Sequence, residues 1–105
     1  MIQIQWTCGT IEEASEVAKA LVEKRLVGCA NIIPHVESIY LWEGKLRQDQ
    51  EVKVLFKTIE SNFEKVKDYI LAHASYEVPE ISQVQISDAN PEYEEWLVQS
   101  LKNEG

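Results

Sequence analysis

The side chains best suited to bind a transition metal are two cysteines and two histidines, and they are dispersed along the chain. Cys8 precedes Gly9 and a predicted helix, whose dipole would favour a thiolate, which is a soft metal ligand. His73 lies at the predicted end of a second helix, where it either ligates a metal or, when protonated, interacts with the helix dipole. Such dispersed residues do not build a structural zinc site within one chain. Any metal would therefore be shared between subunits or completed by carboxylates and water.

Each of these residues also has a simpler interpretation. Cys8 is the right size for a small buried hydrophobe. Cys29 begins a predicted strand at the opposite end of the sheet, where core packing is its expected role. A disulfide between the two needs Cα atoms within ~7 Å, so we expect both thiols to be free. His35 follows Pro34 and is expected to be exposed or to lie at an interface.

Composition limits the classes of partner. The 105 residues include 10 basic and 18 acidic side chains, for a net charge of −8, which disfavours nucleic acid and anionic membranes and permits cations. A hydrophobic content of 45% is enough for one core, so we expect a single domain over residues 1–105. The sequence begins without a signal-peptide pattern and has no apolar run near ~20 residues. We therefore expect a soluble, cytoplasmic protein.

Residues 29–58 are typical of two long strands joined by a tight polar turn. Alternate residues share a face in each arm, which is the period of a half-buried strand. Gly44 supplies the positive φ that a hairpin turn requires. Pro34 lies within the first arm and cannot donate to a strand ladder, so we expect a bulge or an edge position there.

This hairpin is long for its domain. Its first arm would span about 40 Å at ~3.3 Å per residue, whereas a chain of this size has a radius of gyration of only ~13 Å. The hairpin is therefore predicted to extend beyond its own domain, with Tyr40, Leu41 and Trp42 near the tip. An exposed strand edge that carries apolar side chains is best covered by another copy of the chain. We expect an oligomer.

The remaining patterns predict two more strands and three helices. Residues 2–8 alternate as a strand, and Thr10 and Glu13 form a capping box for a helix that ends near Leu26, with Gly28 as a left-handed terminator. Ser61 and Glu64 form a second capping box.

Further along, residues 80–87 are predicted to form a strand with Val84 and Ile86 facing inward. Asn90 and Pro91 begin a last helix as its N-cap and its first residue. The order is that of an α+β, ferredoxin-like β-α-β-β-α-β sandwich with a long hairpin between the second and third strands and a C-terminal helix.

Several ordered motifs along the chain resemble those of the CutA family of divalent-cation tolerance proteins. They are Cys29-Ala-Asn31-Ile-Ile-Pro34, Ser38-Ile-Tyr40-Leu-Trp42-Glu-Gly44-Lys45, Glu51-Val, Lys57-Thr58, Tyr76-Glu77-Val78-Pro79-Glu80-Ile81 and Tyr93-x-x-Trp96-Leu97. The resemblance covers nearly the whole chain, from Thr7-Cys8 to the final helix.

This resemblance implies a homotrimer in which the hairpins extend the neighbours' sheets, an assembly similar to that of PII signalling proteins. It also implies a non-enzymatic protein that binds or responds to divalent metal such as copper. Cys8 and His73 are the metal-ligand candidates under this interpretation. The family often has His-Pro-Tyr where this chain has Ala74-Ser75-Tyr76, so His73 would have to replace that imidazole.

The family's motif positions further imply a cleft between subunits. Its candidate residues in this chain are Tyr40, Trp42, Glu51, Lys57, Tyr76 and Glu80. Interface packing with a buried salt bridge is the alternative role for the same residues. Lys57 needs a carboxylate partner, either Glu51 or Glu80, or else an anionic ligand.

Other functions remain open at this point. The chain is alternatively a PII-like signalling module that binds a small anionic ligand at Lys57 between subunits, or a structural scaffold without a ligand. An acylphosphatase-like enzyme would need a well-placed arginine after the first strand, and the only arginines are Arg25 and Arg47.

Overall fold

The computed structural model describes residues 1–76 and 78–102 and shows the predicted order of elements. The elements are β1 (Ile2–Cys8), α1 (Ile11–Glu23), β2 (Cys29–Trp42), β3 (Lys45–Thr58), a 3₁₀ turn (Glu60–Asn62), α2 (Phe63–His73), β4 (Ile81–Gln85) and α3 (Pro91–Ser100). The strands form one antiparallel sheet in the order β2-β3-β1-β4. The predicted α+β, ferredoxin-like fold is confirmed. Glu77, which belongs to one of the family motifs, and residues 103–105 of the predicted domain lie outside the described residues.

The core lies between one face of the sheet and the first two helices. Alternate side chains of β1 and β3 are buried there, against apolar residues of α1 and α2 such as Leu21 and Ile70. The intervening side chains of β1 and β3 point to the other face of the sheet, which we call the open face. Among the described residues, no helix is long and apolar enough to cross a membrane.

The long hairpin is closed by a two-residue turn. Trp42 pairs with Lys45, and the two residues between them, Glu43 and Gly44, have φ values of 51° and 77°. Two consecutive positive φ values match the twist of the flanking strands, as in a type I′ turn. The role predicted for Gly44 is confirmed, and Glu43 shares it.

The hairpin extends well past the rest of the sheet. β1 pairs with β3 only between Val52 and Thr58, so residues 45–51 of β3 pair with β2 alone. These seven residues add about 23 Å at ~3.3 Å per residue, and the molecule measures 48 Å along its longest axis but 28 and 22 Å along the others. The predicted extension is confirmed within one chain.

A β-bulge at Pro34 sets which side chains of β2 reach the open face. The register shifts between Ile33 and Val36, as expected for a residue without a backbone N–H. Beyond the bulge Val36 pairs with Glu51 and Tyr40 pairs with Arg47. Because directly paired residues point to the same side, the outer half of β2 sends Val36, Ser38, Tyr40 and Trp42 to the open face.

Two local predictions are wrong. Ser61 and Glu64 do not form a capping box, because α2 begins at Phe63 with Asn62 as its N-cap; the Asn62 side chain instead donates to the Leu26 carbonyl at 3.1 Å. Val84 does not face the core. It pairs with Gln3 on the open face and is 47% exposed.

Gly28 has a different role from the predicted one. The left-handed residue after α1 is Arg25, with φ of 60°, whereas Gly28 lies beneath α3. A Cβ atom at Gly28 would lie 2.6 Å from Ser100 Oγ and would overlap Leu97 Cδ1. Leu97 is almost fully buried, so the absent side chain at Gly28 lets α3 dock.

We predict that Gly28→Ala destabilises the protein by about 1–3 kcal/mol, the usual cost of forcing extra volume into a packed contact. The cost of Gly28→Ala should be smaller in a Leu97→Ala background, since that change removes the overlapping atom. Urea unfolding of the wild type, both single variants and the double variant measures this coupling. Equal costs of Gly28→Ala in the two backgrounds would contradict the role assigned to Gly28.

Candidate functional site

A cavity of about 600 Å³ opens on the open face, where the hairpin extends past β1. The hairpin supplies six of its lining residues, namely Ser38, Tyr40, Trp42, Arg47, Asp49 and Glu51. The end of β1 and the segment before β4 supply Thr7, Tyr76, Val78 and Glu80. The cavity is thus walled by aromatic rings and carboxylates.

Strand pairing explains why the hairpin residues meet. Ser38 pairs with Asp49, and Tyr40 with Arg47, so all four point to the same side of the ribbon. The diagonal neighbours Tyr40 and Asp49 are joined by a hydrogen bond from the phenol to the carboxylate. The alternation of side chains along β3 therefore presents Arg47 and Asp49 next to the ring of Tyr40.

Two of the three carboxylates of the cavity, Asp49 and Glu80, accept hydrogen bonds from side-chain donors. Glu51 lies near the Tyr76 phenol, and its charge helps to raise the pKa of Tyr76. Glu80 accepts from Thr7 Oγ1 at 2.9 Å and from Ser82 Oγ at 3.2 Å, and it forms an ion pair with Lys53 at 3.4 Å. The positions of these charges are therefore set by the neighbouring strands.

The same contacts fix the protonation states of the cavity. Burial, reinforced by Glu51, raises the pKa of Tyr76 to about 12. The hydrogen bond to Asp49 raises the pKa of Tyr40. Burial alone would raise the pKa of Glu80, but the hydrogen bond from Thr7 and the charge of Lys53 outweigh it and lower that pKa. Near neutral pH the phenols are therefore neutral donors, and Glu80 is ionised.

Gly9 gives Tyr76 its place beside the cavity. A Cβ atom at Gly9 would lie 3.3 Å from the phenol oxygen of Tyr76, closer than most contacts of real Cβ atoms. A side chain at position 9 would therefore require the ring of Tyr76 to shift slightly.

Cys8 faces the core and does not line the cavity. Its thiol donates to the Thr10 carbonyl at 3.6 Å, and burial, followed by the charge of Glu13, raises the pKa of Cys8 to about 11. The expectation that the helix dipole favours a thiolate is therefore wrong, because desolvation and a neighbouring carboxylate dominate. Cys29, at the other end of the sheet, is also free, as predicted.

His73 lies away from the cavity, in a groove between α1 and α2. Its Nδ1–H donates to the Tyr69 carbonyl at 2.8 Å, and its ring stacks on Tyr69 with centroids 4.0 Å apart. Its Nε2 atom is the remaining position for a metal, in a groove that also contains Glu13 and Glu16. Within residues 1–76 and 78–102, no three Cys, His, Asp or Glu side chains are placed to hold a metal ion together.

Lys57 also lies apart from the cavity. It pairs with Gln3 and Cys29 at the opposite end of the sheet, and its Nζ donates to Asn31 Oδ1 at 2.9 Å. Neither expected partner reaches it, because Glu51 and Glu80 both line the cavity, where Glu80 pairs with Lys53. The predicted salt bridge of Lys57 is wrong for a single chain, since the register places Lys53, not Lys57, beside Glu80.

The structure thus brings together five of the six predicted cleft residues. They are Tyr40, Trp42, Glu51, Tyr76 and Glu80. Asp49 and Arg47 were missed, although they alternate with Glu51 in the same strand period that marks the rest of β3. That the cavity lies between subunits remains a prediction.

Comparison with known proteins identifies the family. The family described as CutA1 divalent ion tolerance protein matches residues 2–100. The chain belongs to the CutA1 family. It is 46% identical over 86 residues to the divalent-cation tolerance protein CutA of Thermus thermophilus, covering 82% of this chain and 84% of that protein. The corresponding protein of Pyrococcus horikoshii is 37% identical and covers 97% of this chain and 99% of its own.

Solved CutA structures have the same fold. A protein from Archaeoglobus fulgidus, described as a periplasmic divalent cation tolerance protein, superposes with a TM-score of 0.93 at 33% identity, over 97% of this chain and all of that one. This chain spans only 50–60% of the plant, frog and mouse relatives it matches, which are longer. The prokaryotic relatives are covered more fully, to 84% and 99% of their lengths.

We predict that stability falls as the pH rises above about 9. Cys8 and Tyr76 have folded-state pKa values of about 11 and 12 against ordinary values of 9.0 and 10.0. As the pH rises, the unfolded chain therefore releases these protons before the folded protein does. The contribution of the two groups to the free energy of unfolding is complete below pH 9 and is lost as the pH approaches 11 to 12. Denaturant unfolding between pH 7 and 11 should show a shallower decline for Cys8→Ala and for Tyr76→Phe. If the free energy of unfolding fell with pH as steeply in both variants as in the wild type, the assigned pKa shifts would be contradicted.

Proposed function

We propose that this protein is a non-enzymatic, homotrimeric divalent-cation tolerance protein whose cavity takes up divalent cations such as copper. The observation that carries the proposal is the charge of the cavity: the carboxylates of Asp49, Glu51 and Glu80 face it, against a single guanidinium from Arg47. The chain carries a net charge of −8, which adds attraction for cations. The descriptions of the family and its relatives support the same function.

The arrangement of ligands favours a hydrated or shared ion. Three ligands from one chain do not converge within the described residues, so carboxylates would hold the ion through water or together with groups from a neighbouring subunit. His73 Nε2 offers a second, separate position for copper on the outer surface. Cys8 would first have to lose a proton that it holds up to about pH 11.

Exposed apolar side chains on the hairpin support the trimer. Leu41 and Leu46 are 71% and 73% exposed and pair with each other near the tip, and Ile39 is 65% exposed. The sheet also ends in two strands, β2 and β4, that each pair with one neighbour only within the described chain. Pairing with further copies would cover both the side chains and the strand edges.

The protonation state of Cys8 supports a non-enzymatic protein. Catalysis by a cysteine requires a thiolate near neutral pH, and the buried Cys8 is a neutral thiol there. A cytoplasmic location is part of the proposal and is supported by the two free thiols, since disulfides are characteristic of oxidising compartments.

The charge of the cavity weighs against the alternative of a PII-like protein with an anionic ligand. That function was centred on Lys57, which lies at the far end of the sheet and donates to the neutral amide of Asn31. An anion in the cavity would meet three carboxylates and one cation. We therefore rank this function second.

We predict a native mass of three times 12.1 kDa by light scattering at micromolar concentration. Leu41→Lys combined with Leu46→Lys should shift the protein toward smaller species, because it places charge on apolar side chains expected to be covered. A matched control is Leu71→Lys on α2, which is 54% exposed in the single chain. A wild-type mass of one chain would contradict the trimer.

We predict saturable Cu(II) binding by calorimetry on the native oligomer, weakened at least about fivefold by Glu51→Gln, the loss of one close charge. Glu95→Gln, an exposed change on α3, is the control for net charge. Cys8→Ser and His73→Ala test the two predicted ligands. Binding abolished by either of them but unaffected by Glu51→Gln would overturn the cavity as the metal site.

A further inference from the structure

The walls of the cavity contain more than a metal ion would use. The rings of Tyr40, Trp42 and Tyr76 all line it, and within a single chain 39%, 46% and 37% of these residues are exposed. Divalent metals are bound by oxygen, nitrogen or sulfur ligands and gain little from aromatic faces. Three rings around one acidic cavity are instead the surroundings that bind organic cations through cation–π contacts.

The contacts within the cavity keep neutral aromatic rings next to carboxylates. Tyr40 donates a hydrogen bond to Asp49, and Glu51 lies near the Tyr76 phenol. Phenols are neutral near pH 7, so both rings keep electron-rich faces with a carboxylate close by. Each carboxylate retains further lone pairs that can accept from a ligand N–H group.

The volume of the cavity and the placement of its carboxylates also favour an organic cation over a single metal ion. A volume of about 600 Å³ lies within the range of small-molecule pockets and far exceeds a single ion. A coordinated metal needs several ligands at short, fixed distances, which the described residues of one chain do not provide. An ammonium group needs only negative charge and aromatic side chains close by, and residues of both kinds line the cavity.

We propose that the cavity binds a small organic ammonium ion, with its charged head against the rings of Tyr40, Trp42 and Tyr76 and facing the carboxylates of Asp49 and Glu51. This ligand class uses the cavity of the proposed function but does not require metal binding. Glu80 contributes less, because Lys53 already neutralises it.

For Arg47 the proposal predicts the direction in which a substitution changes the affinity for a cation. Its guanidinium is the one cation among the described side chains that line the cavity, and it opposes an incoming ammonium ion. Replacing it with a neutral side chain should therefore strengthen the binding of a cation and weaken the binding of an anion.

The test is calorimetric titration of the native oligomer with three probes: choline, 1,4-diaminobutane and 3,3-dimethyl-1-butanol. The alcohol is the neutral isostere of choline, so it separates recognition of charge from burial of methyl groups. We expect saturable binding of choline or diaminobutane, and none of the alcohol. A preference for choline would indicate a quaternary ammonium ligand, whereas a preference for diaminobutane would indicate a primary amine; either result supports the proposal.

Variants then assign the contacts. Trp42→Leu should weaken ammonium binding about 5- to 30-fold, the loss of one cation–π contact, whereas Trp42→Phe should retain most of it. Glu51→Gln should weaken it and Arg47→Gln should strengthen it, with Glu95→Gln as the unchanged control. Light scattering on each variant ensures that only preparations with the wild-type mass are compared.

Three results would overturn the inference: no saturable binding of either ammonium probe at millimolar concentration, equal binding of the neutral isostere, or unchanged affinity in both Trp42→Leu and Arg47→Gln. Cu(II) titration of the same preparations distinguishes this failure from failure of the proposed function. Copper binding at the carboxylates should respond to Glu51→Gln but not to Trp42→Leu. Ammonium binding without copper binding would overturn the metal proposal alone, and the reverse result would overturn this inference alone.

Discussion

The register of the long hairpin is the constraint on which the rest of the site depends. It is fixed at one end by the two positive φ values of Glu43 and Gly44 and in the middle by the bulge at Pro34. A slip of one residue would exchange the two faces of a strand. Tyr40 and Trp42 would then leave the open face, and the hydrogen bond between Tyr40 and Asp49 could not form. One turn and one bulge therefore decide whether the cavity exists.

The second constraint is the electrostatics of the cavity. Carboxylates gathered on one face repel each other, and that repulsion is reduced here by local donors rather than by burial of cations. The Tyr40 phenol donates to Asp49, and Glu80 has a lysine, Lys53, as its partner. A phenol orients a carboxylate without cancelling its charge. The cavity consequently keeps a negative potential, and for that reason the ligands proposed for it are cations.

The sequence predicted the elements well because strand and helix periods are properties of neighbouring residues. It failed where the outcome depended on pairing between distant segments. Val84 has the pattern of an inward-facing strand residue, but its pairing with Gln3 places it on the open face. Likewise Lys57 was expected to meet Glu51 or Glu80, and only the register of β1 with β3 shows that Lys53 lies at that end of the sheet. The pKa of Cys8 depended on burial, which the local motif does not reveal.

Assembly and ligand binding are linked because the same ribbon serves both. The hairpin that extends past β1 presents Leu41 and Leu46 outward and carries Tyr40, Trp42 and Asp49 on the cavity side. A strand pair beyond the sheet has few contacts of its own and is held less firmly than the core. In the proposed trimer, contacts with a neighbour would order this ribbon and so shape the cavity. By mass action, a ligand that binds only the ordered ribbon then stabilises the oligomer, and dilution of the oligomer weakens apparent affinity for the ligand.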